Sequence, residues 1–159
     1  MQTDVPFEEI DFGDLPAEVN ALLQAGVREY RTDRAAADTL FRQALAIDRA
    51  ALPTYFCLYK IHTYQGRLDE ARTIAEAGLT EAARQAGWSA DWRLWLPMET
   101  GPASPGRFAL YTLKALAFIA LRGERPDDAA AMLNALARLD PAGTVGWPVV
   151  AELAEGCAA

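Results

Sequence analysis

The side chains best suited to chemistry in this sequence are its one histidine, His62, and the nearby Cys57. Zinc chemistry needs three or four Cys, His or acidic ligands converging on one point, and two ligands on one helix must lie three or four residues apart. Cys57 and His62 are five apart, so at about 100 degrees per residue they point about 140 degrees away from each other. They do not form a metal pair by themselves. His62 is expected as a hydrogen-bonded histidine packed between helices, and Cys57, between Phe56 and Leu58, as a small apolar filler.

Other catalytic patterns fail in the same way. The glycines near Gly101 and Gly106 lie among prolines and lack the Lys-Ser or Lys-Thr of a phosphate-cradling loop. No serine, histidine and acid arrangement is suggested, and the pairs Asp69-Glu70 and Asp127-Asp128 suit the positive ends of helix dipoles. The expectation is a protein without catalytic residues, metal or cofactor. Trp88, Trp92 and Trp95 recur at spacings of four and three and so suit one face of a short helix. They make either a secondary interface or, as the favoured reading for at least two of them, a cover that extends the core.

A formal net charge of -7 and a pI near 4.7 argue against a nucleic-acid or anionic-membrane partner, which needs a cationic face. Met1 to Asp14 carries Asp4, Glu8, Glu9, Asp11 and Asp14 without a basic residue, unlike a secretory leader, so a cytoplasmic location is expected. The longest apolar stretch, Phe108 to Leu121, is interrupted by Lys114 and is shorter than the roughly 20 residues that cross a bilayer. Two cysteines, Cys57 and Cys157, are too few for a disulfide framework.

Helices must therefore position whatever site exists. Residues 1–13 lack periodicity and are expected as a flexible acidic arm, with one domain over 14–159. Asp14 and Pro16 suit the start of a first helix reaching Tyr30, and Asp33 suits the cap of a second, Arg34 to Asp48. A third runs from Pro53 to Gln65, a fourth from Leu68 to about Ala86. An ordered tryptophan-rich insertion over 87–106 precedes a fifth, Arg107 to Arg122. A sixth starts at Pro126, and a short closing helix is expected over 143–156.

Self-comparison places ADTLFRQAL at Ala37 against ARTIAEAGL at Ala71, 34 residues on, and AAAMLNALARLDP at Ala129 gives a third copy. The period, the small residues Ala37, Ala71 and Ala129, the aromatic Phe41, the turn GRLDEA at Gly66 and the LDP at Leu139 to Pro141 resemble the tetratricopeptide-repeat family. Two features depart from that pattern: no proline ends the first two repeats, and His62 stands where the family usually has tyrosine.

The resemblance implies an all-α fold, a right-handed superhelical stack of antiparallel helix hairpins over about 15–49, 52–86 and 107–141, closed by a C-terminal capping helix. It further implies a concave groove for a protein segment. On this chain the groove positions are Glu29 and Tyr30, then Phe56, Lys60, Thr63 and Tyr64, then Tyr111, Lys114, Phe118 and Arg122. Aromatic rings beside Lys60, Lys114 and Arg122 in an acidic chain point to an acidic-aromatic partner segment. The arm has the same character, and it is read as a tail, a plug for its own groove or a strap to a second copy. The alternative function is a self-associating module, a homodimer, and a less favoured one is a metal-dependent enzyme or an accessory to a metalloenzyme system. RFALYTLKALAFIALRGE and AARQAGW also resemble small repeat proteins of bacterial metalloenzyme maturation, including nitrogen fixation, a likeness that transfers no residue role.

Overall fold

The computed structural model describes residues 9–158, and the side chains of 9–156. The first eight residues of the expected arm, with Phe7 and Glu8, and the Cys157 side chain lie outside the described residues. Seven α-helices and no strand occupy the described part: α1 Ala17–Glu29, α2 Arg34–Ile47, α3 Leu52–Tyr64, α4 Leu68–Ala86, α5 Pro105–Arg122, α6 Pro126–Leu139 and α7 Trp147–Ala158. None of them is long and apolar enough to cross a membrane.

Local chemistry sets most of the boundaries. Asp33 accepts the Ala36 N–H at 3.0 Å and opens α2, and Ser104 accepts the Arg107 N–H at 3.2 Å and opens α5. That serine cap starts α5 at Pro105, two residues before the expected Arg107. Asp14 is no cap: Pro16 holds that position in α1, without a side-chain bond. Gly87 at φ +74 ends α4 with Trp88 N–H on the Ala83 carbonyl at 2.8 Å, a left-handed stop that points Trp88 back along the chain. The closing helix starts at Trp147, later than expected. The Asp140 carboxylate accepts bonds from Thr144 and Val145 and holds 140–146 as a turn.

Each helix packs on the next, and α5 also touches α3 and α7. Small residues allow close approach: Ala37, Ala71 and Ala129 are fully buried, and a Cβ on Gly26 would stand 2.3 Å from the Phe41 ring. Gly78 lies under Tyr55 in the same way, at 2.8 Å. One core joins α1 through α6, and a smaller cluster around Ala117, Leu133 and Val150 attaches α7.

The insertion is ordered, but its tryptophans do not share a helical face. A three-residue 3-10 turn, Trp92–Leu94, is the one helical piece there, because Asp91 caps Arg93 and the chain then extends at Trp95. Trp95 is 3% exposed, donates to the Ser89 carbonyl at 2.7 Å and has its ring centroid 5.1 Å from that of Trp88. Arg138 of α6 donates to the Trp95 carbonyl at 2.8 Å, which ties the insertion to the helices. Trp92 lies half-buried against the main core, with the Arg93 guanidinium 4.3 Å from its ring centre.

Candidate functional site

Residues four apart on a helix share a stripe, and Phe56, Lys60 and Tyr64 form such a stripe on α3. Lys60 Nζ lies 5.2 Å from the Phe56 ring centre and 5.9 Å from that of Tyr64, which is itself 66% exposed. On α5 the stripe is Tyr111, Lys114, Phe118 and Arg122. Lys114 Nζ lies 3.9 Å from the Tyr111 ring centre, and the Arg122 guanidinium lies 5.8 Å from that of Phe118. Phe56 and Tyr111 join the stripes at 5.8 Å, and Tyr59 and Thr112 meet through their hydroxyls at 3.5 Å.

Cations over ring faces are attracted by the ring quadrupole, by about 0.5–1 kcal/mol where exposed and more where desolvated. Lys114 is half-buried, and that burial holds its ammonium below its ordinary pKa. Among the described residues, Lys60, Lys114 and Arg122 have no carboxylate within ion-pair distance, whereas Arg42, Arg72, Arg84, Arg93 and Arg125 do. The sequence contains two lysines, and both stand on this face.

The predicted groove residues separate into two groups. Tyr30, Phe56, Lys60 and Tyr64 line one cavity of ≈ 230 Å³, floored by Phe41 and walled by Ile10 and Phe12. Phe56 and Tyr111 line an adjoining cleft of ≈ 780 Å³, bounded by Asp11 to Leu15 and by the turn before α5. Lys114 joins this group through its seat on Tyr111. Phe118 and Arg122 lie farther along α5, outside both spaces, with Phe118 half-buried against the cluster under α7. Glu29 is exposed, while Thr63 is buried and turns its hydroxyl to the Tyr59 carbonyl.

Sequence reasoning missed Gln24 and the seat of residues 9–12. Gln24 is 2% exposed, and its amide pairs with the backbone of Ile10, a contact that no spacing rule encodes. It also missed the partners of His62. His62 is 2% exposed with Nε2 at 2.7 Å from Asp38, Asp38 holds Arg42, and Arg42 reaches Glu70 on α4. Burial pushes the Asp38 carboxyl up, yet the hydrogen bonds from His62 and Arg42 outweigh it and hold it below the usual range. The recess beside this network is lined by no serine, threonine or cysteine that a His–Asp pair would activate. Its physical role is to tie α2 to α3 and α4. Cys57 is 6% exposed, and burial pushes its thiol up to about 12, the state of an inert filler. No three His, Cys, Asp or Glu side chains converge as a metal site among the described residues.

Comparison with family models, with curated proteins and with solved structures finds no match to this chain.

Proposed function

We propose that this chain is a protein-binding module that takes an acidic-aromatic segment of a partner along the face formed by α1, α3 and α5. In this reading the helices form three antiparallel hairpins of tetratricopeptide type, stacked as a right-handed superhelix with α7 as the cap, and the face is its concave side. The observation that carries it is the seating of Lys60 and Lys114 over aromatic rings without carboxylate partners among the described residues, in a chain of net charge -7. Rings supply contact area, and the ammoniums supply orientation and on-rate.

A random dodecapeptide library displayed on phage tests this reading. Selection on the wild-type chain should enrich peptides that combine acids with aromatics, and the Lys60→Glu, Lys114→Glu double variant should lose them. Equal enrichment on both proteins refutes the reading. Self-association is the second reading, supported by Val149 (65% exposed) and Leu153 (49% exposed), one helical turn apart on α7. Light scattering decides it: a dimer whose Val149→Glu, Leu153→Glu variant is monomeric favours this alternative.

A further inference from the structure

Gln24 lies in α1 and is 2% exposed, a costly place for an amide unless its polar atoms are paired. They are paired with main chain. Oε1 accepts the Ile10 N–H at 3.1 Å, and Nε2 donates to the Ile10 carbonyl at 2.6 Å. Nε2 also donates to Asn20 Oδ1 at 3.2 Å, which fixes the orientation of the amide. An antiparallel strand makes the same two-bond exchange with one residue of its neighbour. Gln24 thus supplies, from a helix, the recognition of an extended backbone that a sheet edge supplies elsewhere.

The side chains of the bound segment are sorted as an extended chain sorts them, with alternate residues on one side. Ile10 and Phe12 both wall the ≈ 230 Å³ cavity, while Glu9 and Asp11 are exposed. Asp11 accepts the Gly13 N–H at 2.8 Å, and Gly13 at φ +85 turns the chain away toward α1. The hold is light, because Ile10 remains 44% exposed. Lys60 lines the same cavity.

We infer that the Gln24 amide is a backbone-reading subsite for an extended acidic, aliphatic, acidic, aromatic segment, and that Glu9–Phe12 fills it in cis. A partner segment of that pattern must displace the chain's own. This inference rests on the segment-binding role proposed above and names the pattern that role takes.

The probe is a fluorescein-labelled peptide of residues 5–14, VPFEEIDFGD, titrated by anisotropy against the full chain. Wild type should bind it weakly. Ile10→Pro removes the N–H that Gln24 accepts, outside any helix, and should tighten binding about tenfold, since a subsite closed about nine-tenths of the time divides affinity by about ten. Adding Gln24→Leu should weaken it again by about tenfold. Should that variant unfold, Gln24→Met gives the same readout. Equal affinity of wild type and Ile10→Pro overturns occupation in cis, and unchanged affinity on removing the amide overturns Gln24 as the reader. No binding of the peptide to any variant overturns the whole inference. If library peptides still depend on Lys60 and Lys114 in that case, the segment-binding role survives and only its Gln24 subsite falls.

Discussion

Replacing Gly26 by alanine should destabilise the protein although alanine is the better helix former. In an exposed helix interior the change gains about 1 kcal/mol. Here the new methyl would stand 2.3, 2.7 and 2.8 Å from three ring carbons of Phe41, where carbon contacts relax near about 3.5–4.0 Å. Phe41 is 2% exposed, so α1 must lift from α2 or the ring must leave its rotamer and shift toward the cavity it floors. Overpacking of this kind costs about 1–3 kcal/mol, and three simultaneous overlaps place it at the upper end. Net of the helix gain, the loss is about 2 kcal/mol, or roughly 4–8 °C in Tm for a chain of this size. Thermal and urea unfolding followed by circular dichroism measure it. Phe41→Leu removes the overlap, so the double variant should be more stable than the sum of the two single losses implies, by a coupling on the order of 1 kcal/mol in the double-mutant cycle. A Gly26→Ala protein as stable as wild type would refute the close approach that places Val27 and Tyr30 around the Phe41-floored cavity.

Asp140 gives a pH-dependent test. Burial pushes its carboxyl up, but the bonds from Val145 and Thr144 and the charge of Arg107 outweigh this and hold it below the usual range. A carboxyl depressed in the folded state stabilises above its unfolded pKa of about 3.9, and that stability is lost as pH falls through the folded value. Asp140→Asn should therefore be less stable at pH 7 by about 1–3 kcal/mol, with a flatter loss below about pH 4 in urea titrations. A parallel loss in both proteins refutes the assignment. Trp95→Ala should cost about 3–5 kcal/mol in the same assay because its ring is buried, and Trp92→Ala, half-buried on the same core, should cost less, about 1–2 kcal/mol. Equal costs would contradict the split of the tryptophans. Iodoacetamide at pH 8, read by peptide mass mapping, should leave Cys57 unmodified until the chain unfolds. Rapid native alkylation would contradict its burial.

The helices were legible because their signals are local. Asp33, Pro53, Gly66, Gly87 and Pro126 each act within a turn, and the buried faces of α2 and α6 repeat at helical spacing. Asp14 misled because its acid type suits a cap while Pro16 already fixes the chain entry into α1. The tryptophan spacing misled because Asp91 and the extended Trp95 end helical geometry after three residues. Of the site, the stripes Phe56–Lys60–Tyr64 and Tyr111–Lys114 came from the positions that the repeat resemblance implies, and helical spacing accounts for each stripe sharing one face. Phe118 and Arg122 share that spacing but lie outside the cavities, since α7 packs on Phe118. The Gln24 pairing with Ile10 spans 14 residues and depends on where the chain folds back. The Asp38 link to His62 spans 24 and depends on how α2 docks on α3. No local pattern carries either distance.

The two lysines permit the most direct test of the segment-binding face. Reductive methylation with ¹³C-formaldehyde keeps each ammonium charged and gives each lysine a resolved methyl resonance, assigned with Lys60→Arg and Lys114→Arg. Titration with a library-selected acidic-aromatic peptide should shift both resonances in step with the binding isotherm. Binding of that peptide at the same affinity with both resonances unmoved would contradict the placement of the partner on this face.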